Sequence, residues 1–354
     1  MANVKSPSPK SSSAKSSSAK SSSAKSSPVK SALRGGPPGQ SRNVALAWVA
    51  GVVVLAVVIA FVAVYLTKGS PKPATHSSAA PSDIVQAATH VPPATLAAVA
   101  LGTGTSAPRP IKGAPLLTQG GVPQVVYVGA EYCPYCAAQR WALVVALSRF
   151  GAFSNLGVTE SATNDTPPAI QTFSFYGSHY SSPYLAFTPI ENQSNQPLPS
   201  GTAYTPLQPV TPLEQRLVQT YDTSTYTGLP ASQDGAIPFV DFANRYLTAG
   251  ASYPATTLSG VTRANIAGSL ADPSSPIAQQ VDGAANLITA AICEVTGNQP
   301  ASVCATPSIT KAEGALGTTT GNGGASSAPP TGASAPGGGP SAPAGPSTLP
   351  GSGG

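Results

Sequence analysis

The sequence predicts an α/β domain that follows a single transmembrane helix. Two observations predict the domain. A short apolar strand at residues 125–128 leads into a Cys-x-x-Cys pair at the start of an apolar helix, and a second strand begins much later, at Ile237-Pro238. A third observation predicts the transmembrane helix: residues 44–66 are uncharged and apolar, and 23 such residues are enough to cross a bilayer.

The segment before the apolar run is basic. Residues 1–43 contain eight Lys or Arg residues, no Asp or Glu, and a recurring Lys-Ser-Ser-Ser-Ala unit. Such a composition builds no core, so we predict a disordered tail. Its positive charge predicts a cytoplasmic amino terminus and a main domain outside the cell membrane. A solvated tail is the favoured interpretation, contact with anionic lipid headgroups is a further possibility, and nucleic-acid binding is not expected.

Composition also sets the later boundaries. Residues 67–83 are rich in Pro, Ser and Ala and predict a linker, residues 84–310 are ample for one domain with its own core, and residues 311–354 predict a second disordered tail of Gly, Pro, Ala and Ser. The exported part carries ten basic and thirteen acidic residues, so the net charge of +5 belongs to the amino-terminal tail. The positive net charge of the whole chain therefore indicates nothing about partners of the domain.

The Cys133-Pro134-Tyr135-Cys136 segment stands where a helix begins, with Pro134 in the first turn, where a missing N–H costs nothing. Free N–H groups and the helix dipole stabilise an anion there, so we predict that Cys133 is the nucleophile and that Cys136, one turn further, resolves the mixed disulfide. A zinc half-site or a structural disulfide is the alternative interpretation. Redox chemistry is favoured because no histidine lies near the pair, and neither a metal site nor a cofactor is predicted.

The remaining elements follow from periodicity and from Gly and Pro punctuation. Helices are predicted at residues 93–101, 134–150 (ended by Gly151), 212–221, 262–270 and 276–296. Strands are predicted at residues 153–159, at 172–176 and 184–188 as one hairpin, and at 237–242 and 246–249 as another. The proline-rich residues 189–211 are predicted to be irregular.

Two further cysteines predict a structural disulfide. Cys293 lies near the end of the last long helix, Gly297 ends that helix, and Cys304 follows after a short loop. All four cysteines lie in the exported part, where disulfides persist. A second redox pair that relays electrons to Cys133 and Cys136 is the alternative interpretation.

The strand, the Ala130-Glu131-Tyr132-Cys133 approach and the Ile237-Pro238 strand together resemble the thioredoxin fold. Residues 129–151, 235–242 and 287–293 resemble an uncharacterised family of membrane-anchored thioredoxin-like proteins, over roughly residues 84–309. The resemblance implies a cis peptide bond before Pro238 that packs near the cysteine pair. It also implies that Ile237 and Pro238 bind substrate main chain, with Tyr135 beside them.

The sequence departs from thioredoxin in two places. Tyr127 stands where thioredoxin has a buried acid; Glu131 is a candidate substitute, but an exposed Glu131 is the favoured interpretation. Pro238 follows Cys136 by 102 positions, which predicts a long insertion at about residues 160–234. Its tyrosines either line a peptide groove or cover the sheet; they are Tyr176, Tyr180, Tyr184, Tyr204, Tyr221 and Tyr226.

The sequence therefore predicts a thioredoxin-like domain on a single-span membrane anchor. We expect an extracytoplasmic thiol–disulfide oxidoreductase that acts on disulfide- or thiol-containing proteins through Cys133 and Cys136. The alternative is a non-catalytic thioredoxin-like binding module of the cell envelope. A structural envelope protein is a third interpretation, which rests only on the low-complexity ends.

Overall fold

The computed structural model of the chain describes residues 77–201 and 203–316, which have the α/β architecture predicted from the sequence. In chain order the strands are β1 (Ser78–Ala79), β2 (Arg109–Pro110), β3 (Thr118–Gln119), β4 (Val122–Gly129), β5 (Ala152–Ser154), β6 (Gly157–Glu160), β7 (Gln171–Ser174), β8 (His179–Ser181), β9 (Ala186–Glu191), β10 (Gln193–Pro197), β11 (Tyr204–Pro206), β12 (Phe239–Phe242) and β13 (Tyr246–Ala249). The α-helices are α1 (Ser82–Thr89), α2 (Pro93–Val99), α3 (Pro134–Leu147), α4 (Pro212–Tyr221), α5 (Ser224–Thr227), α6 (Arg263–Ser269), α7 (Pro276–Val295), α8 (Ala301–Cys304) and α9 (Pro307–Glu313).

The central sheet is organised around β4. On one side β12 pairs antiparallel with it, with Phe239 opposite Val128. On the other side β9 runs parallel to it, with Glu191 opposite Gly129. Beyond β12 the sheet continues through β13 to β2, and the short β3 forms a hairpin with the first residues of β4. The end of β4 that leads to the cysteine pair therefore lies in the middle of the sheet.

β4 is buried on both faces because its side chains alternate between two apolar clusters. Val125 and Tyr127 belong to the larger cluster, which α3 and α7 also form. Val126 and Val128 belong to a smaller cluster with residues of β12, β13 and α4. Every side chain of α3 from position 136 to position 147 is buried, which accounts for the nearly uniform apolar composition of that helix.

The end of α3 differs from the prediction. The helix was expected to reach Phe150 and to stop at Gly151, but it ends at Leu147, and a turn covers residues 148–150. Gly151 serves a different purpose, because a Cβ added to it would lie 2.3 Å from the carbonyl oxygen of Ser181. A glycine at this position therefore lets β8 approach the chain closely.

The predicted hairpin between residues 172–176 and 184–188 is wrong. β7 pairs antiparallel with β6, and β9 pairs parallel with β4. Residues 189–211 are also more ordered than predicted, since they contain the end of β9 and the antiparallel pair β10–β11. Prolines are tolerated in these strands because β9 and β11 lie at sheet edges, where one N–H need not be paired.

The folded part extends past both predicted limits of the domain. β1 lies inside the predicted linker and pairs with β6, α1 begins at Ser82, and α9 continues to Glu313. The predicted insertion at residues 160–234 is not peripheral, because it supplies β9 to the central sheet. The tails predicted at residues 1–43 and 311–354 lie wholly or mostly outside the described residues.

No helix in the described part of the chain is a candidate membrane span. Over residues 77–201 and 203–316, the structure contains no helix with the length and apolarity needed to traverse a bilayer. The predicted span, residues 44–66, lies outside these ranges.

The other predicted helices are present, with ends shifted by one or two residues. Thr211 and Glu214 form a capping box at the start of α4, and Ser275 caps α7. Past the end of α7 the chain turns at Gly297, which has a left-handed φ of 64°. This turn carries α8 back to α7, and a Cys293–Cys304 disulfide joins the two helices with a Cα–Cα distance of 5.6 Å. The predicted pairing of these cysteines is confirmed.

We predict that this disulfide stabilises the fold without taking part in exchange. Replacing both Cys293 and Cys304 by Ala reopens a loop of 11 residues, which should lower the free energy of unfolding by about 3 kcal/mol and Tm by roughly 6–12 °C. Thermal unfolding followed by circular dichroism measures the loss. An unchanged Tm together with lost disulfide exchange would instead make the pair catalytic.

Candidate active site

The junction between β4 and α3 presents the two cysteines in different environments. Cys133 is the N-cap residue of α3, and its sulfur accepts a hydrogen bond from the backbone N–H of Cys136 at 3.3 Å. Pro134 occupies the first helical position, as predicted. Cys133 retains 5% of its surface exposed and Cys136 none, and both are free thiols. Cys133 is therefore the more accessible of the two sulfurs.

A loop that is distant in sequence lies beside Cys133. The Cys133 thiol donates to the carbonyl oxygen of Ile237 at 3.6 Å, although 104 residues separate the two. The Ile237–Pro238 peptide bond is cis, and Pro238 itself is buried. Tyr135 is half-buried and lines the same groove as Ile237. The structure thus brings together Cys133, Ile237, Pro238 and Tyr135, whereas the Cys293–Cys304 pair lies at the end of α7.

Cys136 lies behind Cys133 in a dry, charged environment. Burial raises the pKa of its thiol well above the ordinary value, and the hydrogen bond and charge of Cys133 raise it further. The nearby guanidinium of Arg140 acts in the opposite direction. Cys136 therefore holds its proton more firmly than a free thiol does.

Sequence reasoning missed a fully buried ion pair next to these thiols. Arg140, one helical turn after Cys136, donates through Nε to Glu191 Oε1 at 2.7 Å and through Nη2 to Glu191 Oε2 at 2.8 Å. Nη2 also donates to the carbonyl oxygen of Ala130 at 2.6 Å. Both side chains have no exposed surface. The available signal was a lone Arg in an otherwise apolar helix, because such a charge requires a partner.

The favoured interpretation of Glu131 as an exposed residue is wrong. Glu131 is fully buried, and its Oε1 accepts a hydrogen bond from Ser174 Oγ at 2.5 Å. Burial raises the pKa of this carboxyl, although the Ser174 hydrogen bond and the Arg140 charge lower it in part. Tertiary packing causes this burial: β7 packs over the turn that follows β4 and covers the Glu131 side chain.

Tyr127 occupies the buried position beneath the pair, as expected from the sequence. Burial raises the pKa of its phenol well above the ordinary value, so the phenol is neutral. Its hydroxyl oxygen has no hydrogen-bond partner among the described residues. A Cβ on Gly129 would lie 2.1 Å from that oxygen, so only glycine leaves room for the phenol there.

The tyrosines of the predicted insertion are dispersed rather than gathered in one groove. Tyr204 alone is at the site, where its ring stacks on Tyr132 at 4.3 Å between centroids. Tyr180 packs on the apolar core and donates to the carbonyl oxygen of Leu147. Tyr221 and Tyr226 pack edge to face against each other on the smaller apolar cluster. Most of the set therefore covers the sheet.

Within residues 77–201 and 203–316, no group of three or more His, Cys, Asp or Glu side chains is arranged to hold a metal ion. The site is therefore described by two thiols, one cis-proline loop and a buried Arg140–Glu191 pair.

We predict a pH dependence of stability that originates at Glu131. Because the folded pKa of this carboxyl lies above its ordinary value of 4.5, the folded state binds the proton more tightly than the unfolded chain. The free energy of unfolding should therefore decrease as pH rises from about 4.5 through the raised value. Glu131→Gln keeps the acceptor for Ser174 and removes the titrating carboxyl. The free energy of unfolding of this variant, measured by urea unfolding, should therefore decrease less steeply with pH than that of wild type.

Three other buried acids contribute to the same decrease in both proteins, so the informative quantity is the difference between wild type and variant. Burial raises the pKa of Asp222 and Asp282 to about 8 and that of Asp241 to about 7. Glu294→Gln, at an exposed position, is the control. Parallel curves for wild type and Glu131→Gln would show that Glu131 does not titrate differently on folding.

A comparison with known protein families gives a match that includes most of the residues of this site. A protein-family model described as "Domain of unknown function (DUF929)" matches residues 112–294, more than half of the 354-residue chain. No curated protein and no solved structure matches the chain. The matched interval includes Cys133 and Cys136, Arg140, Glu191 and Pro238, and it ends before Cys304. The chain belongs to the DUF929 family.

Proposed function

We propose that this protein is a thiol–disulfide oxidoreductase with a thioredoxin-like domain. The sheet order supports the fold assignment. The strand before the cysteine pair, β4, runs parallel to β9 and antiparallel to β12, β13 follows β12, and a long helix, α7, comes after β13. A thioredoxin-like domain has the same arrangement of four strands, with its cis-proline just before the strand that corresponds to β12.

One observation carries the functional proposal: the Cys133 sulfur caps the start of α3 and lies 3.6 Å from the carbonyl oxygen of Ile237. The helix start supplies N–H groups and a positive dipole end, both of which stabilise a thiolate. The main chain before Pro238 supplies polar groups next to that sulfur for an extended substrate. A nucleophile and a backbone-binding edge are thus adjacent.

The proposed reaction proceeds in two exchanges. The Cys133 thiolate attacks one sulfur of a substrate disulfide, the substrate S–S bond breaks, and the released substrate thiolate takes up a proton. Cys136 then loses its proton and attacks the Cys133 sulfur, which releases the second substrate thiol and leaves a Cys133–Cys136 disulfide. The substrate gains two electrons and the protein loses two. The reverse sequence oxidises a substrate dithiol, and neither direction requires a cofactor.

We also propose a single-span membrane anchor with the domain outside the cytoplasm. The support is the uncharged run at residues 44–66 and the eight basic residues before it. Anionic lipid headgroups are the proposed contact for that basic segment. An oxidising location also suits the Cys293–Cys304 disulfide, which would be reduced in a typical cytosol.

We predict distinct phenotypes for the two active-site cysteines. Cys133→Ser should abolish reduction of insulin disulfides by the reduced protein, because the attacking sulfur is lost. Cys136→Ala should still undergo the first exchange and accumulate mixed disulfides, which are visible on non-reducing gels and identifiable by mass spectrometry. Iodoacetamide at pH 7 should modify Cys133 at least tenfold faster than Cys136, since Cys136 is buried and its pKa is raised.

The Cys293→Ala/Cys304→Ala double variant is the matched control and should retain exchange. Equal alkylation rates at Cys133 and Cys136, with no trapped disulfide, would favour the non-catalytic binding module instead.

We predict that the two ends of the chain lie on opposite sides of the membrane. In a Cys133→Ser/Cys136→Ser background, a cysteine introduced at Ser326 should react with a membrane-impermeant maleimide in intact cells. A cysteine introduced at Ser11 should react only after lysis. Reaction at Ser326 only after lysis would overturn both the topology and the proposed oxidising location.

A further inference from the structure

A groove of about 540 Å³ adjoins the cysteine pair. Tyr135 and Ile237 both line it, and the carbonyl oxygen of Ile237 is the atom that the Cys133 thiol contacts. Its volume lies in the range of about 300–1,000 Å³ that is typical of ligand-binding sites. Most of the lining is apolar or glycine, including Leu229, Ala249 and Pro254.

One wall of the groove belongs to the segment between α5 and β12. This wall is fastened in place, because Gly235 N–H donates to the carbonyl oxygen of Asp222 at 2.9 Å and Ser224 N–H donates to Asp234 Oδ1 at 2.6 Å. The groove is therefore a built feature of the fold rather than a gap between loose loops.

Arg109 is the single charged residue among those that line the groove in the described part of the chain. Its Nε donates to the carbonyl oxygen of Tyr226 at 3.0 Å, which orients the guanidinium against the wall. Gly228 permits this close approach, since a Cβ there would lie 2.7 Å from Nη2. Across residues 77–201 and 203–316, neither Nη1 nor Nη2 of Arg109 has a hydrogen-bond partner, and the side chain has no ion-pair partner.

The strand register gives the offset between the backbones of Arg109 and Ile237, the residue whose carbonyl oxygen contacts Cys133. Arg109 pairs with Leu247, and Leu247 pairs with Asp241, four residues after Ile237. At about 3.3 Å per residue and about 4.8 Å per strand, the backbone of Arg109 is offset from that of Ile237 by roughly 13 Å along the strands and roughly 10 Å across them, a separation of about five residues of an extended chain.

We propose that this groove binds an extended, cysteine-containing segment of a protein substrate, and that Arg109 selects segments with an acidic side chain about five residues from the cysteine. The proposal deepens the thiol–disulfide function and rests on it. Apolar side chains of the segment contact the groove lining, and its carboxylate replaces water around the free Nη1 and Nη2 groups. Charge complementarity identifies the occupant, because the lining contains one cation and no acid.

The test uses apolar peptides that each carry one cysteine as a mixed disulfide with 2-thiopyridine. Glu, Gln or Lys stands five residues from the cysteine, on either side of it, and one further peptide has Glu directly adjacent. Release of the thiopyridone gives the second-order rate constant, which is divided by the rate with the small disulfide 2,2′-dithiodipyridine. We expect the Glu peptide to react about three- to fivefold faster than the Gln peptide, a typical effect for a partly exposed ion pair.

The variants assign this preference to Arg109. Arg109→Gln should remove it, and Arg109→Glu should reverse it in favour of the Lys peptide, an outcome that loss of fold does not produce. Arg216→Gln, which removes an exposed charge from α4, should keep the preference. In wild type the preference should shrink in 0.5 M NaCl, since salt screens exposed charges. Equal rates for Glu, Gln and Lys peptides, or a preference retained in Arg109→Gln, would overturn the assignment.

Binding without chemistry separates this proposal from the proposed activity. Fluorescent peptides with Ser in place of Cys are titrated against the Cys133→Ser/Cys136→Ser protein by anisotropy. If no substrate reacts, dithiodipyridine included, yet the Glu peptide binds more tightly than the Lys peptide, the oxidoreductase proposal fails and the groove remains a peptide site. If exchange proceeds without any selectivity in rate or binding, the oxidoreductase proposal stands and the groove assignment is wrong.

Discussion

The Arg140–Glu191 ion pair holds together the three elements that meet behind Cys136. Arg140 belongs to the helix that carries the cysteines, Glu191 ends the parallel neighbour of β4, and the same guanidinium binds the carbonyl oxygen of Ala130 in the turn between β4 and α3. Loss of either charged partner would leave the other buried and unpaired, at a cost of about 3–5 kcal/mol. The pose of the cysteine pair over the sheet therefore depends on a strand that lies 51 residues away in sequence.

Around this pair, burial disfavours the charged forms of the other ionisable groups. Burial favours the protonated forms of Tyr127, Glu131 and Cys136, and the charge of Arg140 is already balanced by Glu191. Cys133 differs because it lies at the helix start with part of its surface exposed. The two sulfurs, three residues apart, therefore experience different environments, and the proposed exchange makes use of this asymmetry.

Local patterns predicted the parts of the fold that depend on neighbouring residues. The buried strand before Cys133, the helix start at Pro134 and the β12–β13 hairpin each follow from short apolar runs with Gly and Pro at their ends. The Cys293–Cys304 disulfide was equally predictable from the sequence, since the two cysteines flank one turn at Gly297.

Features that depend on distant partners were not predictable in this way. The run at residues 184–188 predicted a strand correctly, but nothing within it indicates a parallel pairing with β4 rather than a hairpin with β7. Glu131 was assigned to the surface because acids are mostly exposed, and the Ser174 hydroxyl that satisfies it comes from a strand 43 residues away. Arg140 lies in a predicted apolar helix, and its partner Glu191 ends β9. The apolar pattern of the helix does not reveal where that strand lies.

The long separation between Cys136 and Pro238 also has a consequence for the order in which the protein is made. The cysteine pair and its helix are synthesised about a hundred residues before the loop that covers Cys133, and β9 and β12 join β4 only through contacts of high sequence separation. A nascent chain that has emerged as far as α4 holds two exposed thiols and no backbone edge to select their partners. Until the last two strands of the sheet arrive, these thiols are open to pairing with each other or with thiols of other proteins, because Cys293 and Cys304 emerge only after those strands.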